Sequence, residues 1–96
     1  MYEDALKRMQ KKVRQRQYVM TLHADEEMDE DELTIFDVER AILTGKIIER
    51  QKDTGTKEWK YLVRGKTVDE ETVIIVVNKF GKTSKIVIIT VYVDND

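Results

Sequence analysis

Thr72-Val73-Ile74-Ile75-Val76-Val77-Asn78 is followed, after a turn at Gly81, by Lys85-Ile86-Val87-Ile88-Ile89-Thr90-Val91-Tyr92-Val93. Both runs are β-branched and apolar on both alternating faces, which marks them as central strands covered by helices on at least one side. Two earlier stretches, Lys46 to Lys52 and Glu58 to Arg64, share the two-residue period. The links between the four carry Asp53-Thr54-Gly55, Gly65 and Gly81, short enough for an antiparallel meander. The chain has no proline to interrupt an edge strand, so charges such as Lys57 and Glu58 are expected to protect the edge.

Upstream the period becomes helical. Leu6, Met9 and Val13 follow Tyr2 in an apolar stripe, which predicts a helix over residues 2–16. Gln17 to Leu22 is a short β-favouring stretch, and Ala24 to Glu30 reads as a brief helix with Met28 inward. Thr34 followed by Asp37 has the form of a capping box with aspartate in place of glutamate; Ile35, Val38, Ala41 and Ile42 then make one apolar face, with Gly45 the expected stop. The expected fold is therefore α+β, with N-terminal helices packed on a four-stranded, mainly antiparallel sheet. The 96 residues make one domain, divided into an N-terminal helix at 1–16, an extended segment with two helices at 17–45 and the meander at 46–93. A chain of this size buries roughly 60 to 65 % of its unfolded surface around one core.

The chain has no cysteine, which excludes disulfides and thiolate metal sites and fits a reducing interior. The acidic start, Met1-Tyr2-Glu3-Asp4, lacks the basic and apolar blocks of a secretory signal. The longest apolar runs, Val73 to Val77 and Ile86 to Ile89, fall far short of the roughly 18 residues of a membrane span. A soluble, cytoplasmic protein with no membrane partner is expected. Its net charge is −2, but unevenly spread: six basic and two acidic residues lie in 1–22, nine acidic and no basic in 23–39, and eight basic and three acidic in 40–66. A near-neutral total argues against nonspecific coating of nucleic acid, while the two basic segments can form either one local anion-binding face or two solvated faces.

His23, the only histidine, lies in Tyr18-Val19-Met20-Thr21-Leu22-His23-Ala24, where the β-favouring stretch meets the acidic run. It is the residue whose ordinary pKa suits acid-base chemistry near neutral pH, and a structural role satisfying neighbouring polar groups is the competing reading. No metal site is indicated, because there is no second histidine and the acids from Asp25 to Glu32 lack the ligand-and-glycine pattern of a calcium loop. No cofactor is expected either. Strand alternation puts Trp59, Tyr61 and Val63 on a core face, and Lys60, Leu62 and Arg64 on the other. Lys60 and Arg64, joined by Arg50 from the neighbouring strand, would suit a phosphate, or would simply solvate an exposed face. Thr90 and Tyr92 share a face with Ile86 and Ile88, so their hydroxyls would either bond nearby groups or floor a substrate pocket.

Thr21-Leu22-His23-Ala24, Met28, Ile35, Asp37-Val38-Glu39 and Gly45-Lys46-Ile47-Ile48-Glu49, then Tyr61-Leu62-Val63-Arg64-Gly65, Val73 to Val77 and Ile88-Ile89-Thr90-Val91-Tyr92, occur in an order that resembles the prokaryotic family called domain of unknown function 4258. The resemblance covers about residues 17–93 and implies a small α+β fold related to the RelE-like toxin ribonucleases, with zinc-finger antitoxins encoded beside some members. Many members carry arginine where this chain has Glu27, which argues against a phosphate contact there.

Two functions follow as expectations. In the first, the chain is a toxin-like, metal-independent endoribonuclease, an mRNA-interferase-like enzyme of a toxin-antitoxin system, with RNA as substrate and a cognate antitoxin as partner. His23, Arg64 and Tyr92 would be catalytic, and Arg50, Lys60 and Thr90 would bind substrate. In the second, it is a non-catalytic interaction module or degenerate toxin relative, whose acidic helical segment or exposed strand edge docks a partner protein. Convergence of His23, Arg64 and Tyr92 on one open site favours the first.

Overall fold

Gly45 is where the chain changes layer, as the change of period implies. The computed structural model describes residues 1–95. Before Gly45 lie α1 (Glu3–Arg14), β1 (Tyr18–Met20), α2 (Leu22–Glu30) and α3 (Ile35–Thr44); after it come β2 (Lys46–Lys52), β3 (Trp59–Lys66), β4 (Val73–Phe80) and β5 (Ile86–Val93). The fold is α+β. β2 to β5 form the expected antiparallel meander, but the sheet has five strands in the order β1-β5-β4-β3-β2, with β1 parallel to β5. The four-stranded expectation is thus corrected to a mixed five-stranded sheet. β1 has too few residues to declare a period; it is fixed by its partner, Tyr18 and Met20 lying opposite Ile86 and Ile88. No helix among the described residues is long and apolar enough to cross a membrane.

The helices cover one face of the sheet. Met9 and Val13 of α1, Ala24 and Met28 of α2, and Val38, Ala41 and Ile42 of α3 pack with Val63, Ile74, Val76, Ile86, Ile88 and Val91 in one buried core. On the opposite face Leu62, Ile75 and Val77 form a second, smaller buried cluster made of strand residues alone.

Two register shifts redirect side chains. In β2 the pairing passes from Ile47 opposite Val63 to Glu49 opposite Leu62, leaving Ile48 as the extra residue. In β5 it passes from Ile88 opposite Asn78 to Thr90 opposite Val77, leaving Ile89 as the extra residue. A bulge of one residue inverts the facing of everything beyond it. Thr90 and Tyr92 therefore leave the face of Ile86 and Ile88 and stand with Val77 and Ile75 on the side without helices, correcting the expected shared face. Arg50 lies opposite Tyr61 on the helix side, where its guanidinium stacks 4.0 Å from the Trp59 ring centroid. It cannot join Lys60 and Arg64. One edge strand is β2, which carries the Ile48 bulge and the charges of Lys46, Glu49, Arg50 and Lys52, while Lys57 and Glu58 lie in the β2–β3 connection.

The Thr34 capping box is formed: its hydroxyl accepts from the Asp37 N–H, and the Asp37 carboxylate accepts from the Thr34 N–H at 2.9 Å. The second Asp37 carboxylate oxygen accepts from Val68 N–H at 3.0 Å, tying α3 to the β3–β4 loop. Thr34→Ala is expected to cost about 1 kcal/mol in urea denaturation, an ordinary cap loss. Asp37→Ala should cost more because it also strips Val68; an equal or smaller loss would show that the Val68 bond adds no stability. Tyr18 donates its hydroxyl to Glu39, and burial together with that carboxylate pushes the phenol up to about 12.

Candidate functional site

α2 begins at the β5 bulge. Thr21 donates its N–H to the Ile88 carbonyl at 3.0 Å and its hydroxyl to the Ile89 carbonyl at 2.9 Å, while the same hydroxyl accepts from Ala24 N–H at 3.1 Å. One side chain thereby ends β1, caps α2 and fixes both to the bulge. His23 follows directly, at the N-terminal end of the helix and at the edge of the sheet.

Past Thr21 the chain turns into α2 and its backbone no longer pairs with β5; at Val91 Glu27 takes its place. Its Oε1 accepts from Val91 N–H at 3.1 Å and lies 3.3 Å from His23 Nε2. The carboxylate is mostly buried, at 24 % side-chain exposure, whereas the imidazole is 65 % exposed. A ring in solvent is thus held at one nitrogen by a carboxylate that the sheet itself anchors. A carboxylate in contact with one ring nitrogen is the relation by which an acid orients a catalytic histidine.

Tyr92 follows Val91 and stands on the face without helices. Ile75 is opposite it, and Arg64 is opposite Ile75, so Lys46, Arg64, Ile75 and Tyr92 make one row across four strands. With strands about 4.8 Å apart, the Arg64 and Tyr92 backbones are separated by roughly 10 Å. Arg64 Nε donates to Asp94 Oδ2 at 2.8 Å, which draws the guanidinium toward the end of β5. The Tyr92 phenol is held above its ordinary pKa, first by burial and then by the charges of Asp94 and Glu49. At neutral pH it is a hydroxyl donor.

Thr90 stands in the next row with Val77, Leu62 and Glu49. The apolar floor between the polar groups is the Leu62, Ile75 and Val77 cluster. Lys60 is on this face but lies toward the other end of β3, near Lys79, whose ammonium is 3.2 Å from Glu58. The structure therefore brings Arg64, Thr90 and Tyr92 to one face, sets Lys60 apart and puts Arg50 on the opposite side. His23 does not share that face: it lies on α2, which packs on the helix-covered side, and only its partner Glu27 reaches the β5 edge, at Val91.

A scan of family profiles matches residues 20–93 to the domain of unknown function 4258. The chain belongs to that family. Neither the curated proteins nor the solved structures contain a match to it. The segment shared with the 4258 family holds His23, Glu27, Arg64, Thr90 and Tyr92 and leaves out α1. In this 4258 protein Glu27 is the contact of His23 that sequence reasoning missed. Weighed only as a charge facing a phosphate, it is instead the partner of the histidine, and the four-residue spacing on one helix was the available signal.

Glu27→Ala in this 4258 domain leaves the Val91 N–H without its acceptor and is expected to cost about 1 to 3 kcal/mol in stability. Glu27→Gln retains an acceptor for that N–H and should recover most of the loss. Equal losses in the two variants, by chemical denaturation, would mean that the Val91 bond is not what Glu27 contributes.

Proposed function

We propose that this chain is a metal-independent endoribonuclease of the RelE-like toxin type, acting on RNA in the cytoplasm and held in check by a cognate antitoxin. The observation that carries the reading is the exposed His23 ring 3.3 Å from a Glu27 carboxylate that is anchored on β5 at Val91, the residue before Tyr92. His23 takes the proton of the RNA 2′-hydroxyl, and that oxygen attacks the adjacent phosphorus. The P–O5′ bond breaks, leaving a 2′,3′-cyclic phosphate on one product and a 5′-hydroxyl, protonated from solvent, on the other. Arg64 meets the charge that develops on the phosphorane, while the Tyr92 and Thr90 hydroxyls position its oxygens. Lys60 adds positive potential at the far end of the same face. The raised Tyr92 pKa suits a donor that keeps its proton throughout.

The exposed acids of α2, Asp25, Glu26, Asp29 and Glu30, favour a second reading as a docking module for a basic protein, which leaves RNA intact. Purified protein incubated with a defined RNA in excess chelator separates the two. The ribonuclease yields fragments ending in 2′,3′-cyclic phosphate; RNA that stays whole rejects the enzyme.

A further inference from the structure

The row that ends at Tyr92 begins, three strands away, in an open groove of about 550 Å³. The C-terminal end of α3, the start of β2, the end of β3 and the β3–β4 loop enclose it, contributing Arg40, Lys46, Arg64, Lys66 and Glu70, with Gly65 in its lining. Four cations from three elements thus meet two carboxylates: Glu70, 3.7 Å from Arg40, and Asp94, 2.8 Å from Arg64. The negative end of α3 also points here, with three of its later carbonyls accepting side-chain hydrogen bonds. Thr44 donates to the Arg40 carbonyl at 2.8 Å, and the Gln10 amide donates to those of Ile42 and Leu43 at 3.2 Å each. The helix end is thus partly satisfied by α1 and by its own Thr44, and four cations face two carboxylates in the groove.

Arg64 belongs to both the groove and the candidate catalytic face, and Lys46 lies opposite it in the same row. We infer that the groove is the phosphate-backbone subsite for single-stranded RNA, holding phosphates a few nucleotides from the one cut at His23. The inference rests on the ribonuclease reading and adds to it the path of the substrate. A strand laid across the sheet along this row passes Tyr92, the apolar floor at Ile75, Arg64 and then the groove. The lysines of such a track hold backbone charge and carry no base preference.

Binding is measured by fluorescence anisotropy with a labelled 2′-O-methyl oligonucleotide, which lacks the attacking hydroxyl and cannot be cut. Wild type, Lys46→Gln/Lys66→Gln and a charge-matched control, Lys82→Gln/Lys85→Gln in the β4–β5 loop, are compared over a salt series. Loss of two phosphate contacts should lower the slope of log K against log salt by about 1.4, and weaken binding roughly twentyfold at 0.1 M salt. The control should match wild type. An unchanged slope in the groove variant, an equal loss in the control, no binding by wild type, or displacement by poly-glutamate as readily as by unlabelled oligonucleotide each overturns the groove as an RNA site. Cleavage of ordinary RNA is followed in parallel. Groove-dependent binding without cleavage keeps the backbone site and rejects the ribonuclease, whereas cleavage with an unchanged slope rejects the groove alone.

Discussion

His23→Ala is expected to lower RNA cleavage by roughly a hundredfold or more, the usual contribution of a positioned acid-base group, and to leave the fold in place. The two halves of that expectation come from different observations. The ring is 65 % exposed and its contact is with Glu27 at 3.3 Å, so its removal opens no cavity. Glu27 keeps its bond to Val91 N–H, so no buried donor is orphaned. A structural histidine would behave in the opposite way, with stability falling and any cleavage unaffected. A hundredfold loss corresponds to about 2.7 kcal/mol of transition-state stabilisation, far above what an exposed imidazole–carboxylate pair lends to folding. The measurement is the initial rate of cyclic-phosphate formation from a defined RNA, with both proteins purified in parallel and their urea midpoints compared. Equal rates would remove His23 from the chemistry and assign the observed cleavage to another group or to a contaminant.

The parts of this fold legible in the sequence were those encoded by a sustained local pattern. The stripe of Met9 and Val13, the Thr34–Asp37 box and the meander from Lys46 onward all repeat over enough residues to declare themselves. β1 does not, because three residues carry no period and its pairing is supplied by β5. The bulges are harder still. The alternation Ile86, Ile88, Thr90, Tyr92 runs unbroken through Ile89, and only the pairing with Val77 and Asn78 shows that the facing inverts there. That inversion moved Thr90 and Tyr92 from the helix-covered core to an accessible face, and the Ile48 bulge moved Arg50 the other way. The candidate site was legible as residue types and not as a placement, since its geometry depends on two single-residue shifts and on Glu27 standing in for a missing strand.

Gly65→Ala should be the most damaging single substitution for the fold. Gly65 reads as a link glycine in the sequence, yet it lies inside β3, and Gly45, the expected helix stop, caps α3 with extended angles, φ −92° and ψ −165°. What both positions require is the absence of a side chain. A Cβ on Gly65 would lie 2.3 Å from the Ala41 carbonyl oxygen and 2.6 Å from Ala41 Cα. Both are backbone atoms of α3, and Ala41 is fully buried, so relief means lifting the helix from the sheet. Lifting it separates Val38, Ala41 and Ile42 from Val63, Ile74 and Val76, the centre of the core. Overpacking ordinarily costs about 1 to 3 kcal/mol, and a clash confined to backbone belongs at or above the upper end. For a domain near 100 residues, about 3 kcal/mol lowers the melting temperature by roughly 12 to 24 °C. Gly55→Ala is the comparison: its Cβ would meet Asp53 Oδ1 at 3.3 Å, a side-chain atom at a turn, and calorimetry should show a far smaller shift. A loss below about 1 kcal/mol for Gly65→Ala would mean that α3 rides on the sheet with slack that overpacked cores lack. The same contact sets the distance between Arg40 on α3 and Arg64 on β3, so that slack would also deny the groove a fixed width.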